Sequence, residues 1–555
     1  MKSCLSLAFA VLLTAILAAQ TTAPNVPAPS DKGKDKEPAK CTVAGQVVQE
    51  PGDRPMRKAT IQLTPVDQDE GTAYTADSDA EGRFKFDNIR PGQYRLSMEH
   101  SGFSSMGKRR WGQALTLDPG QEMKDLVLRM QPSAVITGKI ADDDGDPVSG
   151  VAVFVKRAAA ARHLRFGAGY TNDLGEYRIS DLAPGRYVIS AVLSKQSFQR
   201  SEIESDKQSI PYLTYYPGIA DRAQAAIVEL HSGDEFPADF SLVYGPSFRV
   251  RGLVSGISTT EPRLSLILRS KDGEWPVIPS EVEVRKDGSF EINKVLPGSY
   301  EVWLMTMTSP APETLQAAQG LEVKGADLEN VRLTPAAKSE VRGQLRMENG
   351  QKVDWGAVTV VLDSGESDSN YVVQVADEGE TSTQAKQDGS FDMKTIPPGN
   401  YRVMLYSGLV ALRDCFVKSI NAGGKDVANS GFTVSGGLWS LDVVVSAKGA
   451  TVDGIAVDDK NQPVADADVV LIPDSNRQRR DLFQSAQTDQ HGHFKLRGLN
   501  PGGYRILALE DLEEDFRNPE FLKAHEGAGQ TLHVDEDERK SIVLKLESSG
   551  ASLPN

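Results

Sequence analysis

Tyr212, Tyr215 and Tyr216, followed by Pro217 and Gly218, form the densest aromatic cluster in the sequence. Exposed tyrosines present an apolar face and a polar tip, which suits stacking on sugar rings; the alternative is that they cover the edge of a sandwich. Trp111, behind the basic run Lys108 to Arg110, and Trp275 are candidates of the same kind. His491 and His493 are the one close histidine pair. On a strand, positions i and i+2 share a face and can hold a metal. This pair straddles Gly492, however, so exposed turn residues are the plainer expectation. The run Asp142 to Asp146 carries oxygen ligands of the kind calcium takes, without the twelfth-position Glu of a helix–loop–helix calcium loop. Asp and Gly are also ordinary turn residues there. Arg477 to Arg480 is a basic run in an acidic chain and reads as a solvated loop.

Around these residues the usual catalytic patterns are missing. There is no Gly-rich phosphate loop, Cys-x-x-Cys pair or His-Glu-x-x-His element. Three cysteines and seven histidines in 555 residues leave little material for metal arrays or histidine catalysis. The expectation is a protein without catalytic residues, metal or cofactor. A net charge of −16 argues against nucleic acid as a partner.

The start of the chain resembles a secretory signal over 1–20. Lys2 is followed by an apolar run from Leu5 to Leu17 and the small residues Ala18 and Ala19. The run is shorter than the roughly 20 residues of a membrane-spanning helix, so cleavage is expected rather than an anchor. Cys4 precedes the apolar run and does not read as a lipid-attachment cysteine. Residues 21–40 are rich in Pro, Lys and Asp and read as a linker too polar to offset its ordering entropy. No later segment reaches transmembrane length. An exported protein is expected, whether periplasmic, on the cell surface or extracellular. Cys41 and Cys415 are too far apart in sequence to suggest a disulfide framework.

The elements that position everything else come from a repeat. Gly, x, aromatic, x, apolar is followed nine residues after the Gly by Pro-Gly-x-Tyr-x-aliphatic. The five copies begin at Gly82, Gly175, Gly288, Gly389 and Gly492, with their prolines at Pro91, Pro184, Pro297, Pro398 and Pro501. A fixed inner spacing with a drifting outer period marks one structural unit used five times. Phe84 and Phe86 lie two apart and share one strand face, and Tyr94 and Leu96 repeat the alternation. Pro91-Gly92 suits a type II turn, with Pro at the first central position and Gly supplying positive φ at the second. Upstream of each copy a glycine sits among β-formers: Gly45, Gly138, Gly252, Gly343 and Gly454.

Counting the flanking strands gives six or seven short strands in about 100 residues. That is the arithmetic of an antiparallel β-sandwich. The expected fold is all-β, with five tandem sandwich modules at 41–131, 132–246, 247–336, 337–447 and 448–547 and a tail at 548–555. Two stretches break the pattern. The alanine-rich 156–165 reads as a helical loop, and Asn518-Pro519 to Gly527 as a short helix.

The repeat, together with the stretches Asp143 to Val153 and Asp459 to Val469, resembles the carboxypeptidase regulatory-like domain. The resemblance implies a transthyretin-like, immunoglobulin-like sandwich grouped with carbohydrate-binding-like folds. The whole chain is similar to large exported bacterial proteins, typical of Acidobacteria, built from tandem copies of it. The resemblance brings no catalytic residues, since the peptidase domain that gives the module its name is absent. Polysaccharide is the partner that the fold analogy implies, with Tyr212, Tyr215, Tyr216 and Trp111 as contact candidates. The alternative is an adhesion or assembly protein that binds other proteins of the cell envelope.

Overall fold

The computed structural model describes residues 39–66, 73–105, 112–158, 167–193, 209–256, 264–270, 282–306, 313–334, 339–364, 381–396, 398–407, 412–510, 512 and 515–547. Residues 1–38, which hold the stretch read as a signal and most of that read as a linker, fall outside them, as do Lys108 to Trp111 and Trp275.

An aromatic on a strand needs a flat neighbour, and the upstream glycine supplies one. The Gly-x-aromatic strand pairs antiparallel with the first strand of its module in all five copies. Its aromatic falls directly opposite the glycine: Gly45 faces Phe84, Gly138 faces Tyr177, Gly252 faces Phe290, Gly343 faces Phe391 and Gly454 faces Phe494. A Cβ at Gly252 or Gly454 would press on the facing ring and on a carbonyl of the strand at the other side.

Each module is two packed sheets. In the first module one sheet runs Arg83–Ile89, Cys41–Gln49, Glu122–Pro132, Phe103–Ser105; the other runs Tyr74–Asp77, Thr60–Pro65, Gly92–Glu99, Gln113–Leu117. Their inner faces share one apolar core that includes Val43, Ile61, Phe84, Tyr94 and Leu115. The other modules repeat this plan with their own cores. In the fifth, Gly502–Leu509 also pairs with Arg539–Glu547 and joins the two sheets into one. The sandwiches are antiparallel except that the first strand lies parallel to late strand segments, as in Cys41–Gln49 beside Glu122–Pro132 and Ser339–Met347 beside Gly437–Ser446, and that in the fifth Gly502–Leu509 also lies parallel to Arg539–Glu547. The first strand's other edge is already taken by the Gly-x-aromatic strand.

The leading glycines do close tight turns, with φ between +72° and +85°. The Pro-Gly step differs from the type II expectation. Gly92 has φ +152° and already pairs with Leu117 as the first residue of its strand. The left-handed residue sits earlier, at Asn88, Asp181, Lys294 and Gly498, where the strand bulges against its partner. The strand goes on pairing past the bulge, with Ile89 opposite Cys41, and the chain then crosses through Arg90 and Pro91 to the other sheet, where Gly92 opens the next strand.

What fixes the corner is the tyrosine. Its buried hydroxyl donates to the carbonyl just before the proline: Tyr94 to Arg90 at 2.7 Å, Tyr187 to Ala183 at 2.6 Å, Tyr300 to Leu296 at 2.9 Å and Tyr504 to Asn500 at 2.8 Å. Burial pushes the Tyr504 phenol well above its ordinary pKa. Tyr504→Phe leaves that carbonyl unpaired at a cost of about 1 kcal/mol. The expected result is a drop of roughly 4–8 °C in the fifth module's calorimetric transition. An unchanged transition would show that the hydroxyl does not hold the corner.

Of the two breaks in the β pattern, the second forms the helix Pro519–Ala524 behind Asn518, with Leu522 N–H donating to the Asn518 carbonyl at 3.0 Å. It packs outside the sandwich. Phe521, Leu522 and Phe516 meet Val470, Ile472, Phe483, Leu507 and Leu509 in a separate apolar cluster on the outer sheet face. The first break is corrected at its start: Lys156 and Arg157 belong to the strand Val151–Arg157, whose pairing with Gly185–Leu193 runs to the end. Residues 159–166 lie outside the described part.

Candidate functional site

The tyrosine cluster of the second module is mostly packing. Thr214–Tyr215 pairs with the strand Gly185–Leu193, which draws Tyr215 down to 5 % exposure. Tyr216 packs against the module core and meets Phe236 and Phe240 edge to face, at 6.0 and 5.8 Å between centroids. Tyr212 lies across the backbone of Gly245 and donates to the Pro246 carbonyl at 3.2 Å. Partial burial raises its pKa. Tyr215 therefore offers no open face to a sugar ring, Tyr216 only part of one, and Tyr212 one side. Trp111 lies outside the described residues.

Tyr170 offers an open aromatic that the sequence did not single out. It ends the edge strand Gly167–Tyr170 and is 66 % exposed. The turn residue Leu174 is exposed four positions on. Nothing in the local sequence marks it, because its pattern is that of any edge-strand tyrosine.

The acidic run is a turn. Asp142, Asp143 and Asp144 lie close together, the one such cluster among the described residues. Asp142 Oδ1 accepts the backbone N–H groups of Asp144 at 3.0 Å and Asp146 at 2.8 Å. Asp458 does the same for Lys460 and Gln462 in the fifth module, where the run is not acidic. The shared geometry shows that the turn uses the first Asp and needs no acid at the third or fifth position, where Lys460 and Gln462 stand in the fifth module. The histidine pair is likewise a turn: Asp489 Oδ1 accepts from the backbones of both His491 and His493, and the rings sit 6.3 Å apart.

Of the basic run Arg477 to Arg480, Arg477 and Gln478 are exposed as a solvated loop would be, but Arg479 and Arg480 are not. Arg479 is buried and donates to Asn429 of the fourth module at 3.0 Å while pairing with Asp481. Arg480 reaches Asp363, also of the fourth module, at 3.8 Å. A second set of contacts holds the same two modules together. Lys418 bridges Glu348 at 2.6 Å and Glu536 at 2.7 Å, and Asn500 Nδ2 donates to the Val417 carbonyl at 3.2 Å. Lys418 holds the Glu348 carboxyl below its usual pKa, and the two carboxylates raise that of Lys418. The first and second modules are joined through backbone as well: Ser133 N–H donates to the Gly102 carbonyl and Gly233 N–H to the Pro132 carbonyl. Apart from Asp481 beside Arg479, none of these partners lies near its own residue in sequence, so spacing alone gave no signal. A shallow, open depression lined by Gly356, Gln384 and the 385–388 turn adds no convergent charged set.

The sequence matches the family described as carboxypeptidase regulatory-like domain over residues 42–131 and 135–211. No curated protein matches it. Among solved structures it is similar to a streptococcal ancillary pilin, at 12 % identity over 53 % of this chain and 99 % of that one, TM-score 0.20. A minor pilin of Streptococcus agalactiae is similar at 14 % identity over 38 % of this chain and 97 % of that one, TM-score 0.22. Two B repeat units of the collagen binding protein of Staphylococcus aureus are similar at 10 % identity over 73 % and 99 %, TM-score 0.12. At such scores the likeness adds nothing to the sheets described above.

Proposed function

We propose that this chain, whose segments 42–131 and 135–211 are carboxypeptidase regulatory-like domains, is an exported, non-catalytic binding and spacer protein with polysaccharide as its ligand. One observation carries the non-catalytic part: the residues that recur five times are consumed by structure. The glycine faces the aromatic, the aromatic fills the core and the tyrosine ties the corner. What differs between modules is loops and outer faces, where binding residues are normally placed on a rigid scaffold. Tyr170, with its open ring, replaces Tyr215 as the aromatic best placed to stack on a sugar.

A protein partner from the cell envelope is the second reading. In the third module the sheet Ser289–Val295, Phe248–Val254, Leu328–Leu333 ends on Leu328–Leu333, with no further strand paired to it among the described residues. The matching edge is covered by Phe103–Ser105 in the first module and Phe416–Ala422 in the fourth. An open edge of this kind accepts an extended peptide.

Binding of the full chain to a polysaccharide panel separates the two. Retention that Tyr170→Ala weakens roughly fivefold, the effect of about 1 kcal/mol, supports the sugar reading. Tyr215→Ala should instead lower thermal stability. No retention on any glycan, with capture of an envelope protein that a proline in Leu328–Leu333 abolishes, would replace it with the second.

A further inference from the structure

The first and fifth modules meet, 374 residues apart in sequence. Gln490, in the turn before the leading Gly492, turns its side-chain amide onto the backbone of Thr116. Its Oε1 accepts the Thr116 N–H at 3.0 Å, and its Nε2 donates to the Thr116 carbonyl at 2.7 Å. Thr116 belongs to Gln113–Leu117, the edge strand of its sheet. On one edge a primary amide presents its carbonyl oxygen and the N–H syn to it, which match the N–H and C=O that one strand residue turns outward. It therefore satisfies an edge strand as a neighbouring strand would.

The repeat supplies four internal controls on each side. The residues matching Gln490 in the other modules are Ala80, Asp173, Lys286 and Gln387, all exposed, whereas Gln490 is half-buried. Its neighbour Asp489 is only 6 % exposed, while the matching Asp79, Asn172, Arg285 and Lys386 are exposed. The residues matching Thr116 are Glu229, Glu322, Thr433 and His533, again all exposed, whereas Thr116 is half-buried. One turn and one edge, each usually in water, are both covered in the pair of modules that touch. The backbone joint between modules one and two, and the charged joint between four and five, hold the flanking pairs at set angles.

The geometry points to an array that closes on itself, with Gln490 of the fifth module clasped to the edge strand of the first. Closure changes what a spacer of five modules does: its ends stay together and its reach is that of a ring. The contact is weak by itself and works because the chain between its halves keeps them at high effective concentration.

Small-angle scattering of the full chain tests this, with light scattering to fix the mass. Modules of about 100 residues have a radius of gyration of about 13 Å; five of them closed give about 33 Å, and an extended string gives about 50 Å. A monomer near the smaller value that opens on Gln490→Ala and Gln490→Glu, and not on Gln387→Ala at the matching turn, supports the clasp. Calorimetric transitions unchanged in these turn variants show that folding is intact. An extended monomer overturns the proposal. So does a compact monomer indifferent to Gln490, or an oligomer that Gln490→Ala dissolves, which would place the contact between copies.

Discussion

Gly454→Ala is expected to lower the melting transition of the fifth module by roughly 10–20 °C, the shift that follows from about 2–3 kcal/mol in a domain of this size. The added methyl would sit 2.8 Å from Phe494 Cζ and 2.9 Å from Cε1, with the Ile542 carbonyl pressing from the other side. Neither neighbour yields cheaply. Phe494 is buried in the module core, and Ile542 belongs to the parallel strand that pairs residue by residue with Ala450–Val457. Calorimetry of the full chain reads the effect, since one transition should move and the others stay. A shift below about 2 °C would mean that the aromatic only happens to face the glycine and that the pair does not set the sheet.

The second large effect is expected from Phe521→Ala. The helix it belongs to has six residues, too few to persist without packing. Phe521 is its buried anchor, stacked at 4.0 Å on His525 and set among Val470, Ile472, Leu507 and Leu509. Truncating a buried Phe costs about 3–5 kcal/mol. Here the loss is capped by the free energy of letting the segment go, so detachment is the outcome. Hydrogen exchange should then show the amides of 521–528 unprotected, including His525, which donates to the Phe521 carbonyl at 3.0 Å in the intact helix. The uncovered outer face should bind an apolar dye. Preserved protection of His525 would show that Phe516 and Leu522 suffice.

The sandwich plan was legible because it rests on local chemistry. Two-residue alternation in Phe84 and Phe86 can only be a strand face, and a nine-residue spacing kept five times can only be one unit. The helix after Asn518 was legible for the same reason, from Pro at its first turn. The Pro-Gly turn type was misjudged because Gly92 already opens a strand of the other sheet and the left-handed residue is Asn88, at a bulge, and bulges leave little trace in residue types. The contact candidates fared unevenly. Tyr215 sits in a short run with Tyr212 and Tyr216 beside a Pro-Gly, as an exposed loop ring would, yet two backbone pairs to Gly185–Leu193 bury it. Arg479, Arg480 and Gln490 look like any surface residues until modules far away in sequence are brought beside them.

The parallel pairing of each module's first strand with a late strand has a mechanical meaning. The chain enters along one of these strands and leaves along, or just after, the other, so tension on the ends pulls two bonded parallel strands in opposite directions. Their hydrogen bonds are then loaded together, in shear, instead of opening one after another. The load is shared over nine residue pairs in the fourth module and seven each in the first and fifth, but over four in the third. The second module holds its first strand by only five pairs split over two short strands, so a pulled chain lengthens first in its second and third modules, and the modules that carry the clasp are among the last to give.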